Sequence, residues 1–123
     1  MKKSKLINPD PTLKNNLMAF GYECDKGWWS LIDECIEELE KVAKKKGFDF
    51  EILQIKEKYA TLRIYLSSED DELFNIVQKF EILSSHVCEI CGEFWTAKER
   101  VSHGWYKVLC NKCVIENNYV ENN

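Results

Sequence analysis

Arginine is nearly missing from this chain of 123 residues. Arg63 and Arg100 are the only two, so 15 of the 17 basic residues are lysines. Guanidinium forks are the usual readers of guanine edges and phosphates, so base-specific DNA recognition is poorly supplied. Long apolar runs are missing too, and nothing approaches the ~18–20 residues of a membrane span. The basic start Met1-Lys2-Lys3-Ser4-Lys5 is followed by Asn8, Pro9, Asp10 and Pro11, not by an apolar stretch. No secretory signal is expected there, and a cytoplasmic setting follows. The chain has no Gly-rich phosphate loop, no nucleophile elbow and no HExxH, so catalysis is not expected. The polar cluster Lys56-Glu57-Lys58-Tyr59 with Arg63 is more simply a solvated turn with ion pairs.

What is present suits one small domain, or one small domain with a metal-held appendage. Apolar residues make up 45% and charged residues 31%, with a formal charge of −4. Thiols stay reduced in the cytosol, so six cysteines point to metal binding in preference to disulfides. Four of them stand as Cys88-x2-Cys91 and Cys110-x2-Cys113. That is the spacing of a zinc site, because two thiolates two residues apart reach one ion from a single tight turn. Gly92 directly follows the first pair, where a knuckle needs a residue of positive φ. Four cysteines complete a tetrahedron and leave no position for an activated water, so the expected zinc is structural. His86 and His103 are then surplus to the ligand set. Cys24 and Cys35 have no paired spacing, and Cys35 falls on an apolar helical face as a small core residue.

The order of elements follows from periodicity. Residues 1–19 hold both prolines and little apolar pattern, and read as a flexible arm. Trp28, Leu31, Ile32, Cys35, Leu39, Val42 and Ala43 recur at helical spacing. Ser30 with Asp33 suggests a capping box at the start; Lys44–Lys46 and Gly47 mark the end. The period then drops to two, and strands are expected over 48–56 and 59–66, joined by a tight turn. Ser67 to Glu72 supply caps for a second helix with a buried stripe of Leu73, Phe74, Val77, Phe80 and Leu83, joined by Ile76. Both helices should cover one face of the hairpin, since two strands alone are marginal. After Cys91, a hairpin turning at Gly104 and a helix from Val114 are expected. The predicted class is α+β: a helix–β-hairpin–helix core (20–85), then a zinc module (86–118), then a tail (119–123). A knuckle, a hairpin and a ligand-bearing helix would make the module treble-clef-like; knuckles on both pairs would make it a zinc ribbon.

Several segments in order resemble a family of small, largely uncharacterised phage, prophage and bacterial proteins. They are Gly21–Cys24, Gly27–Asp33, Gln54–Arg63, Cys88–Gly92 and Gly104–Cys110. Members often have glycine where Ala60 and His103 stand, and some end the ligand set with histidine where this chain has Cys113. The resemblance implies a shared fold and a mobile-element setting, and it supplies no activity.

The function expected is a non-enzymatic protein-interaction module, of the kind that inhibits or modulates a host or defence protein. A toxin-immunity role is an alternative. Tryptophans are frequent interface anchors. Trp29 lies off the helical stripe and is the preferred surface candidate, with Trp105, Lys56, Lys58 and Arg63. Nucleic-acid binding is the other alternative, and charge opposes it. Residues 86–123 carry four Lys/Arg against five Asp/Glu. Four thiolates on a divalent ion add about −2 more.

Overall fold

The computed structural model describes residues 21–102, 104–117 and 120–121. The arm expected at 1–19, and His103, lie outside the described residues. A 3-10 turn, Lys26–Trp28, runs directly into helix α1 (Trp29–Lys46). Its apolar stripe is buried as the periodicity requires: Trp28, Ile32, Cys35 and Leu39 are sealed from solvent, with Ile36 and Ala43 nearly so. The expected capping box does not form. The preceding turn already engages the chain, with Trp28 N–H donating to Asp25 O, and no side chain caps α1. Asp33 instead accepts a hydrogen bond from the Tyr22 hydroxyl, which ties down the approach to the helix. At the other end Gly47 takes φ 78°, and its N–H returns to Ala43 O and Lys44 O. Three lysines in that last turn complement the helix dipole.

Strands β1 (Ile52–Lys58) and β2 (Thr61–Leu66) form an antiparallel hairpin. The strand expected from residue 48 begins at Ile52, because Phe48 and Phe50 pack against the core as the chain leads in. A register shift between Ile52 and Gln54 lets Ile52 and Ile55 both face inward although they are three apart. The two-residue turn has positive φ at both positions, 51° at Tyr59 and 64° at Ala60. Glycine, asparagine and aspartate usually fill such turns. The Glu57 carboxylate steadies this one by accepting from Ala60 N–H at 2.7 Å.

Neither edge of the hairpin is left open along its length. Glu23 bridges the outer side of β1, its N–H reaching Ile55 O and its carbonyl receiving Glu57 N–H. On the β2 side, helix α2 (Asp71–Ser84) supplies side chains in place of a strand. Leu62 N–H donates to Ser84 Oγ and Ile64 N–H to Glu81 Oε2. Asp70 caps α2, accepting from the Glu72 and Leu73 amides at 2.9 and 3.0 Å. The buried stripe of α2 is Leu73, Val77, Phe80 and Ser84. Phe74 and Leu83, expected inside, are 62% and 41% exposed. The stripe turns through Ser84, whose hydroxyl serves the β2 edge, and this rotates its neighbours outward. The inner hairpin face and both helix stripes form one core with Tyr22 and Val108.

A second antiparallel sheet holds β3 (Lys98–Ser102), β4 (Trp105–Leu109) and β5 (Val120–Glu121), in the order β4-β3-β5. Helix α3 (Asn111–Glu116) lies between β4 and β5. The sequence reading places residues 119–123 in a tail, yet Val120 and Glu121 pair with Val101 and Arg100 on the second edge of β3. The class is α+β: helices with two small antiparallel sheets. Among the described residues, no helix is long and apolar enough to cross a membrane.

Candidate metal centre

The chain leaves α2 through two tight turns, His86 N–H to Leu83 O and Val87 N–H to Ser84 O, and arrives at Cys88. Gly92, at φ 85°, closes a knuckle around the first pair. Its N–H donates to Cys88 O at 2.8 Å, and Cys88 N–H donates to Glu93 O at 2.7 Å. The second pair comes from α3. Cys110 is its N-cap residue, and its sulfur accepts from Cys113 N–H at 3.4 Å. Cys110 and Cys113 therefore lie one turn apart, facing the knuckle across the end of the β3–β4 hairpin.

The four sulfurs all lie within 4.8 Å of one another, and Cys91 Sγ stands 3.6 Å from Cys110 Sγ. A tetrahedron with metal–sulfur bonds of ~2.3 Å has edges of about 3.8 Å, so the donors fit a zinc-like ion. Cys88, Cys110 and Cys113 are buried, while Cys91 faces solvent. Burial raises the thiols of Cys91 and Cys113 above their ordinary value. Burial also opposes ionisation of Cys110, but the Cys113 amide, the neighbouring thiols and the Lys112 amide together hold it below the ordinary value. A divalent ion would be held by these four residues alone. His86 is exposed and stands outside the cluster. Cys24 and Cys35 stand outside the cluster, and burial first, then neighbouring carboxylates, push both thiols up to about 12.

A buried polar frame braces the site. Arg100 is 2% exposed, and its guanidinium donates to Leu109 O, Thr96 O and Asn111 Oδ1 at 2.9–3.1 Å. It thus ties the strand carrying Cys110 to the loop after the knuckle. Thr96 Oγ1 accepts from Asn111 N–H, and Glu93 accepts from Thr96 N–H. Three oxygen acceptors meet the Arg100 guanidinium through Nε and Nη2, which offsets part of the cost of its burial.

The knuckle is also stitched to the helical core. Gly27 N–H donates to Glu89 O at 2.7 Å, and Trp28 Nε1 donates to Val87 O at 2.7 Å. Asp25 N–H donates to Glu89 Oε2 at 3.1 Å. Lys107 lies between two carboxylates, 3.0 Å from Asp25 and 3.3 Å from Glu89. Burial draws the Lys107 ammonium down, yet Asp25 and Glu89 more than offset it and hold it above its usual range. Contact is closest at Gly27. A Cβ there would stand 2.2 Å from Cys88 O and 2.4 Å from Glu89 O.

The sequence-derived partner candidates fall in separate places. Lys56, Lys58 and Arg63 share the outer face of the β1–β2 hairpin, with Lys56 directly opposite Arg63. Trp29 is half-buried, its Nε1 donating to Cys24 O and its ring edge-on to Tyr22. Trp105 stands 74% exposed at the start of β4. Trp95, also exposed, stacks on Phe94 with ring centroids 4.4 Å apart. Gly27, Glu89 and Lys107 enter the sequence reading only within the resembling segments and without a role, and Arg100 only as a scarce arginine. A glycine before a helix and a glutamate inside CxxC carry no local mark of their roles. No family model, curated protein or solved structure matches this chain.

Proposed function

We propose that Cys88, Cys91, Cys110 and Cys113 hold one structural zinc ion, and that the protein is a non-enzymatic interaction module. The observation that carries this reading is the closed set of four thiols. A four-coordinate thiolate site has no open position at which water could be activated. The ion then supplies folding energy and no reaction chemistry. A knuckle, a hairpin and a helix N-terminus bearing the last two ligands make the arrangement treble-clef-like.

The exposed Phe94, Trp95 and Trp105 support a role in binding a protein, since aromatic side chains dominate interface energetics. The resemblance to phage and prophage proteins suggests the setting: a cytoplasmic accessory protein that binds and modulates a host or defence protein. The test is capture from host lysate by tagged, zinc-loaded protein, with a chelator-treated sample beside it. A partner retained by the zinc form and lost on chelation supports the reading. No partner in any host lysate would overturn it.

A further inference from the structure

The β1–β2 hairpin carries two costs that the fold relieves only in part. Lys56 and Arg63 stand directly opposite each other, and like charges in that relation destabilise a sheet. Lys58 extends the same face, since residues two apart on a strand point the same way. Among the described residues, none of the three has an ion-pair partner. The nearby carboxylates point their oxygens at neutral amides, although Glu23 is bridged to Lys56 through the backbone and Glu81 still feels the Arg63 charge. Glu23 accepts from the Gln54 amide, Glu57 holds the Ala60 N–H and Glu81 holds the Ile64 N–H. The second cost is the turn, where Tyr59 sits at φ 51° while 73% exposed. Local backbone strain clusters at functional sites.

We infer that this outer hairpin face docks an acidic, extended segment of a partner protein. The inference rests on the protein-interaction reading and names the surface and the chemistry it takes. Alternate residues of an extended chain repeat every ~6.8 Å, so carboxylates at alternate positions would meet Lys56 and Lys58 in step. Arg63, across the hairpin, offers a planar fork to a third carboxylate. Beyond Arg63 the face meets a groove where Leu53, Tyr65 and Phe74 are substantially exposed and Glu69, Asp71 and Glu81 also line the wall. An apolar residue suits this groove, while the acidic ones stay at the turn end, over Lys56, Lys58 and Arg63.

Nucleic acid fits this face less well. Three cations neutralise about three phosphates, and firm binders make roughly 6–10 such contacts. The ammonium of Lys56 lies over the Tyr65 ring, 5.8 Å from its centroid, so that ring face is not open for a base to stack.

The experiment is fluorescence anisotropy with the zinc-loaded full chain at ~20 and ~150 mM salt. One probe is a labelled peptide of about ten residues with glutamate at alternate positions and a central leucine; the other is an oligo-dT of equal charge. The informative variant is Lys56→Gln with Arg63→Gln, which removes the repulsion. It should melt at or above the wild-type temperature yet lose about tenfold or more in peptide affinity at low salt. Lys41→Gln with Lys45→Gln, on exposed α1 positions, should keep the affinity. No peptide binding at low salt, binding that survives the hairpin variant, or oligo-dT binding as tight as the peptide would each overturn the inference. A lysate partner captured equally by wild type and hairpin variant would also remove this surface, while leaving the protein-interaction reading intact.

Discussion

Replacing Gly27 by alanine should destabilise the protein far more than its backbone conformation would suggest. Gly27 lies outside the left-handed region, where alanine is usually neutral or gains ~0.4–1 kcal/mol. Space is the obstacle: the added Cβ would meet Cys88 O at 2.2 Å, Glu89 O at 2.4 Å and the Glu89 carbonyl carbon at 2.5 Å. All three are backbone atoms, so no side-chain rotation relieves the clash. The two segments must part by about 1 Å, and overpacking of this kind costs roughly 1–3 kcal/mol. Parting also stretches the 2.7 Å hydrogen bond from Gly27 N–H to Glu89 O beyond useful length. Leaving those groups unpaired adds about 1–3 kcal/mol. A total near 3–4 kcal/mol is a large share of the ~5–15 kcal/mol that holds a domain together. Urea denaturation of zinc-loaded protein measures it, and zinc affinity by chelator competition should fall in parallel. Gly104→Ala is the contrast, with φ 85° but nothing within 4 Å of its Cβ. It should cost only about 1 kcal/mol. A Gly27→Ala protein as stable as wild type would refute the close docking of knuckle on core.

Lys107→Met leaves the buried Glu89 carboxylate with the Asp25 amide alone, and should cost about 2–3 kcal/mol at neutral pH. Adding Glu89→Gln should recover part of that loss in a denaturant double-mutant cycle; additive losses would show that the pair is not coupled. The Leu73 amide first, then Lys46, hold the Asp70 carboxyl below its ordinary value. Its contribution is therefore present above the unfolded pKa of ~3.9 and is lost as pH falls through the lower folded value. Asp70→Ala should weaken the protein at pH 7, with the gap to wild type narrowing below about pH 4 in matched denaturation curves; a gap constant with pH contradicts this. Tyr59→Asn places a residue that tolerates positive φ in the turn and should stabilise by up to about 1 kcal/mol. An unchanged or lower melting temperature would mean that the turn is not strained.

Helix α1 was legible because its stripe, its lysine-rich last turn and Gly47 all point the same way within one local segment. The two CxxC pairs are equally local, and the fold brings their sulfurs together. Errors arise where distant partners decide. Phe74 and Leu83 have helical spacing, but the β2 edge recruits Ser84 and Glu81 and so sets the rotation of α2. Asp33 sits at the N3 spacing from Ser30, yet the Tyr22 hydroxyl claims its carboxylate. Trp29 is off the apolar stripe, yet the carbonyl of Cys24 gives its indole a partner and half buries it. The docking of Gly27 on Glu89 joins residues far apart in sequence, so no window of the sequence reveals it. The strand at Val120 has no period of its own and is defined by the open edge of β3.

Metal content of the purified chain, measured by mass spectrometry for wild type and Cys110→Ser, tests the proposed zinc centre most directly. One equivalent of zinc per wild-type chain and a near-complete loss in the variant are expected. Because Trp28 bonds Val87 and packs in the core, metal loss should reach the start of α1 and shift the emission of that indole. A wild-type chain without zinc, or a Cys110→Ser chain that keeps one full equivalent, would contradict a structural ion held by these four thiols.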